Sequence, residues 1–121
     1  MLTLSHKKLE VYTISLNLIK EVYFITSHFP AEEKFGLTTQ IKRAAVSISC
    51  NIAEGAGRIS KQEKKRFFEI ARSSCVEVDT QLEIAIMLNY IEINEIESLN
   101  KNIESVFKIL SKLITNLTTS N

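Results

Sequence analysis

The chain has 121 residues, a length that fits one domain with a core of its own. At 45% hydrophobic and 24% charged residues, with three glycines, one proline and no tryptophan, it is neither a disordered chain nor a turn-rich all-β one. Fifteen bases against fourteen acids leave a net charge of +1, so bulk composition argues against a strongly basic nucleic-acid binder and against an acidic tail.

The first residues, Met1 to Lys8, lack the basic region and apolar run of a signal peptide. No apolar stretch approaches the roughly 18 residues of a membrane span. The expectation is a single cytoplasmic domain over residues 1–121 with no membrane role. Leu9, Tyr12, Leu16, Ile19 and Tyr23 then recur at steps of three and four, the spacing of one helix face, and are read as the core seam of a first helix. Phe29-Pro30-Ala31 ends it, because proline disfavours helical geometry in the residue before it.

A second helix carries Leu37, Ile41, Ala44, Ile48 and Ile52 on one face and ends at Gly55-Ala56-Gly57, read as a glycine C-cap. Ser60-Lys61-Gln62-Glu63 reads as a capping box opening a third helix, whose inner face is Phe67, Ala71, Ser74, Val78, Leu82 and Ala85. Asn94 to Glu97 repeats the device with an asparagine cap before the fourth helix, where Ile96, Leu99, Ile103, Val106, Leu110, Leu113 and Leu117 keep the rhythm. The tail Thr118 to Asn121 is expected to fray. Four helices of about 22–30 residues with short connections make an all-α, antiparallel up-down-up-down four-helix bundle.

The second helix also carries a polar stripe, Gln40, Arg43, Ser47, Asn51, Glu54 and Arg58. It is either a solvated face or a polar seam buried against another helix or subunit, in which each group needs a partner. With Glu77 of the third helix, Gln40, Asn51, Glu54 and Arg58 make a candidate structural polar cluster. Reading Glu54, Arg58 and Glu77 as an enzyme site is the more distant option, since a buried network explains the same residues.

Other chemistry is poorly served. Neither His6 nor His28 lies three residues after a glutamate, so the paired Glu-x-x-His of a di-iron bundle is missing, and so are HExxH and zinc-finger spacings. No glycine-rich phosphate loop and no nucleophile in a turn context is present. Cys50 and Cys75 lie 25 residues apart with no CxxC and read as buried free thiols. The chain is expected to be no enzyme, with no cofactor, no metal and no small-molecule substrate.

Charge is unevenly distributed. Between Lys42 and Arg72, eight bases (Lys42, Arg43, Arg58, Lys61, Lys64, Lys65, Arg66, Arg72) face three acids, whereas seven acids face one base between Glu77 and Glu104. The eight bases are the candidate nucleic-acid contacts. They would equally pair with the acidic segment of a neighbouring subunit.

The stretch from Gln40 to Arg58, with its core Asn51-Ile52-Ala53-Glu54-Gly55-Ala56-Gly57-Arg58, resembles the signature of the four-helix bundle family of 23S rRNA intervening-sequence proteins. Phe29-Pro30, Glu33-x-Phe35-Gly36-Leu37, Ser60, Arg66-Phe67, Ile70 to Ser74, Glu77 and Leu88-Asn89-Tyr90-Ile91 extend the resemblance over nearly the whole chain. Ser49 and Ser73 stand where the family commonly has proline and glycine. The resemblance implies a bundle that assembles into a ring, with pentamers known in the family, and no established enzymatic activity. It also implies a link to RNA, because relatives act as accessory proteins of diversity-generating retroelements, where a basic ring surface engages nucleic acid and a reverse transcriptase. Two functions follow as expectations. One is a homo-oligomeric, pentameric bundle that binds RNA or a ribonucleoprotein through its bases; the other is an assembly scaffold with no nucleic-acid role.

Overall fold

The computed structural model describes residues 1–119, Thr119 by its backbone alone. Four helices, α1 (Glu10–Thr26), α2 (Leu37–Gly57), α3 (Lys61–Met87) and α4 (Glu97–Thr119), are joined by short segments with 3-10 turns at Ala31–Glu33 and Ile93–Ile96; another such turn, Ser5–Lys8, precedes α1. No strand occurs among the described residues. Each helix packs on its sequence neighbour and α1 also packs on α4, which closes an all-α up-and-down bundle. No helix of the described residues is long and apolar enough to cross a membrane.

The core is aliphatic. Leu18 and Val22 of α1, Ile41, Ile48 and Ile52 of α2, Val78 and Leu82 of α3, and Leu99, Val106 and Leu110 of α4 are buried on facing stripes. The seams expected for α2 and α4 point inward; Leu37, Leu113 and Leu117 at their ends are only partly buried. In α3 the inner face follows the expected residues except at its start, where Phe68 is buried and Phe67 only half-buried.

The α1 seam is corrected by one register step. Val11, Ser15, Leu18, Val22 and Ile25 face the core, while Leu16 and Tyr23 are exposed. Both stripes have helical spacing, so periodicity alone cannot choose between them; packing selects the one with slimmer side chains, which lets α1 lie against the small residues of α2. At 17 residues α1 is also shorter than expected, because Ser5–Lys8 forms its own turn and Leu9 is extended.

Helix termini explain several motifs. Ser60 Oγ accepts from the Glu63 backbone N–H at 3.1 Å, the serine half of the expected capping box. The fourth helix is not capped by Asn94. Glu92 and Glu95 form the reciprocal box there, three residues apart, and the longer carboxylates reach the backbone that Asn94 does not. Asn89 has φ 63° and terminates α3. Tyr90 N–H donates to Ala85 O and Asn89 N–H to Ile86 O, a Schellman arrangement that needs a left-handed residue and takes asparagine.

No glycine is left-handed, so Gly55-Ala56-Gly57 is not the αL cap that the sequence suggests. Helix α2 continues through Gly57 and leaves its axis at an extended Arg58. Gly55 serves contact: a Cβ there would lie 2.8 Å from the Phe68 ring. Cys75 is buried, and burial pushes its thiol up to about 12, but Cys50 is exposed, contrary to expectation; both are free. Thr118 and Thr119 remain helical, and the rest of the expected frayed tail, Ser120 and Asn121, lies outside the described residues.

Candidate nucleic-acid interface

Alternating helix direction places the start of α1, the end of α2, the start of α3 and the end of α4 at one end of the bundle. Residues 58–66 bring five bases and a single acid to this end. Lys7 and Lys8 in the leading turn, which packs on α2, join them, although they lie outside the Lys42–Arg72 block. The other end holds Glu32 and Glu33 in one connection, Glu92 and Glu95 in the other, and Glu97 at the start of α4. The near-neutral sum thus hides a molecule with a basic and an acidic end.

The eight candidate bases do not form one surface. Lys42 sits with its Nζ 4.7 Å over the Tyr23 ring, on the side where α1 meets α2. Arg43 lines a surface cavity of about 310 Å³ between α2 and α3 with Gln40, Ser47, Ser74, Glu77 and Gln81. Arg72 faces α4 instead, donating from Nε to Ser111 Oγ at 2.7 Å and stacking 4.2 Å from the Phe107 ring. Arg58, Lys61, Lys64, Lys65 and Arg66 are the ones gathered at the basic end.

Arg58 and Lys64 have internal work. Arg58 donates to Glu54 Oε1 at 2.5 Å, approaches Glu63 at 3.8 Å and covers the Phe67 ring at 4.7 Å, tying the end of α2 to the start of α3. Lys64 donates to the Ala56 carbonyl at 3.0 Å, satisfying an acceptor that α2 leaves open at its C-terminus. Lys65 and Arg66 make no ion pair among the described residues. At the first turns of α3 they gather positive charge where the helix dipole already favours an anion.

The polar cluster likewise separates into parts. Gln40 and Glu77 share the α2–α3 cavity, where the Gln81 amide oxygen is buried without a partner among the described residues. Asn51 donates to Ser47 O and Oγ at 2.9 and 3.0 Å, and Ser74 Oγ donates to the same Ser47 hydroxyl at 3.0 Å. Glu54 pairs with Arg58. Gln40 and Glu54 are 14 residues apart on one helix, about 21 Å along its axis, so Glu77 does not join Glu54 and Arg58 in a single site. The stripe is therefore solvated at its edges and hydrogen-bonded across α2–α3 at its centre.

Two further links escaped sequence reasoning. Ser15 Oγ donates to Tyr12 O at 2.6 Å, and the buried hydroxyls of Ser15 and Ser49 lie 2.8 Å apart across α1–α2. Ser49 therefore has a use that proline cannot supply. Tyr90 donates to Glu33 Oε2 at 2.7 Å, joining two connections that lie far apart in sequence. The phenol and the Leu37 backbone N–H hold the Glu33 carboxyl below its ordinary range, and the same bond raises Tyr90. No cluster of metal-ligating side chains occurs among the described residues.

No curated protein matches this chain. Among solved structures, a Bacteroides thetaiotaomicron protein of unknown function from the S23 ribosomal protein family is similar, with 26% identity and a TM-score of 0.79 over 86% of this chain and 97% of that one. Residues 7–112 match the family described as 23S rRNA-intervening sequence protein, and since this span covers the bundle from its leading turn into the last turns of α4, the chain belongs to that family.

Proposed function

We propose that this protein is a non-enzymatic, cytoplasmic, homo-oligomeric bundle, a pentameric ring, that engages RNA or a ribonucleoprotein through its basic end. The observation that carries this reading is the convergence of Arg58, Lys61, Lys64, Lys65 and Arg66 with Lys7 and Lys8 at one end, against a glutamate-rich opposite end. Phosphate binding is the ordinary use of such a surface, and membership of a family described by an rRNA intervening sequence supports an RNA partner.

Binding to a structured RNA should weaken steeply with salt, the log–log slope counting the phosphates engaged at about 0.9 each on a duplex. A Lys65→Glu/Arg66→Glu variant should lose affinity and flatten the slope while keeping its helicity. Absence of binding at low salt, or a slope near zero, overturns the RNA reading.

A second reading, an assembly scaffold without nucleic acid, draws on the internal use of Arg58 and Lys64 and on the opposite charge of the two ends. It predicts that salt loosens the oligomer and that RNA leaves it unchanged.

A further inference from the structure

The cavity between α2 and α3 has walls set by helical spacing. Arg43, Ala44 and Ser47 line it from α2, and Ser74, Glu77 and Gln81 follow at steps of three and four along α3. Ala44 is buried and has only a methyl group, so it leaves room that a longer side chain would fill. Ser74 Oγ donates to Ser47 Oγ at 3.0 Å and closes one end. About 310 Å³ remain, the lower end of what small-molecule sites enclose.

The polar groups of this cavity are not engaged elsewhere. Arg43 and Glu77 bring opposite charges to it, yet neither makes an ion pair with any other described residue. Ser47 Oγ accepts from both Asn51 and Ser74, so its own hydrogen is left to donate. The Gln81 amide oxygen is buried with no partner among the described residues. Buried acceptors are nearly always hydrogen-bonded, because losing water without gaining a bond is unfavourable. The terminal torsion of a glutamine is soft, so a modest rotation presents that oxygen to a donor entering the cavity.

We propose that this cavity binds a small polar α-amino acid, with its carboxylate on the Arg43 guanidinium and the Ser47 hydroxyl and its ammonium on the Glu77 carboxylate and the Gln81 amide oxygen. A guanidinium fork matches a carboxylate bidentately. An ammonium has three hydrogens and serves two acceptors at once. A molecule carrying only one of these charges leaves Arg43 or Glu77 without an answer. Ala44 is the one apolar residue of the wall among the described residues, so the side chain of the amino acid is polar as well. This binding needs neither RNA nor a second copy; it goes beyond the proposed function and stands or falls apart from it.

The test is isothermal titration of the full chain with L-serine, L-asparagine and L-glutamine, each also offered with its carboxyl amidated or its amine acetylated. At least one of the three should bind at millimolar concentration and raise the melting temperature. Both blocked forms of that amino acid should bind about tenfold more weakly or not at all. Arg43→Gln and Glu77→Gln, both at exposed positions, should each weaken binding about tenfold with helicity unchanged by circular dichroism. Gln81→Met removes the unpartnered acceptor, so it should keep or raise the melting temperature of the free protein while weakening binding. Binding of none of the three amino acids, equal binding of a blocked form, or folded variants that bind like wild type overturn the proposal. A cavity covered by a neighbouring copy gives the first of these results.

Discussion

The Tyr90 hydroxyl donates to Glu33 Oε2 at 2.7 Å across 57 residues of sequence, fastening the α1–α2 connection to the α3–α4 connection. Glu33 also accepts from the Leu37 N–H at 3.1 Å, so one carboxylate starts α2 and holds the exit of α3. Tyr90 packs in turn on Phe29, with ring centroids 5.6 Å apart. The acidic end of the bundle is thereby built around one shared acceptor.

This bond makes a pH-dependent prediction. Glu33 titrates below its ordinary 4.5 in the folded protein, so its contribution is complete above that value and disappears as pH falls through the lower folded value. Tyr90 titrates above its ordinary 10, so its contribution is complete below 10 and disappears as pH rises through the higher folded value. Tyr90→Phe should lower the melting temperature at pH 7, and the difference from wild type should shrink in strong acid. Thermal melts of both proteins across the acid range check this.

The two glycines at the end of α2 should respond in opposite directions to alanine. At Gly55 the new Cβ would meet two Phe68 ring atoms at 2.8 and 2.9 Å and Phe67 Cβ at 3.2 Å, in a place where Phe68 is buried. Gly55→Ala should cost about 1–3 kcal/mol, the usual range for overpacking. At Gly57 a Cβ would find nothing within 4 Å, and φ is not positive, so Gly57→Ala should stabilise by about 0.4–1 kcal/mol. Urea midpoints of the two variants separate contact from backbone entropy.

The Ser15–Ser49 pair should be strongly non-additive. Ser15 spends its hydrogen on Tyr12 O, which leaves Ser49 as the donor between the two hydroxyls. Ser15→Ala removes the acceptor of a buried donor and should cost about 1–3 kcal/mol. Ser15→Ala/Ser49→Ala removes both partners and should cost less than the sum of the single changes. A double-mutant cycle in denaturant reads the coupling directly.

Asn89 tests the end of α3. Asn89→Gly should be neutral or mildly stabilising at φ 63°, whereas Asn89→Val, β-branched in a left-handed position, should cost upward of about 1 kcal/mol. Equal effects of glycine and valine would show that the Schellman geometry does not govern this terminus.

Much of the bundle can be read along the chain because its causes are local. The inward stripes of α2 and α4, the Ser60 cap and the breaks near Pro30 and Gly57 follow from spacing and turn chemistry within a few residues of each position. The α1 seam could not be chosen that way, since Leu16–Tyr23 and Leu18–Val22–Ile25 have the same helical spacing and only the neighbouring helix distinguishes them. The Glu92 cap was hidden behind Asn94 for a related reason: both residue types accept, and backbone geometry picks one.

The candidate site divides on the same line. Bases between residues 58 and 66 form a cluster in sequence and remain one in space, because a short connection keeps the end of α2 beside the start of α3. Lys42, Arg43 and Arg72 share that charge block but point to three different helix boundaries, since a helix turns about 100° per residue and scatters neighbours around its axis. Local order thus establishes which residues are helical, where helices stop and how charge is blocked along the chain. Which stripe is buried, which base is already engaged, and that Lys7 and Lys8 join the basic end while Tyr90 meets Glu33 depend on long-range packing, where antiparallel helices bring together residues that no local pattern connects.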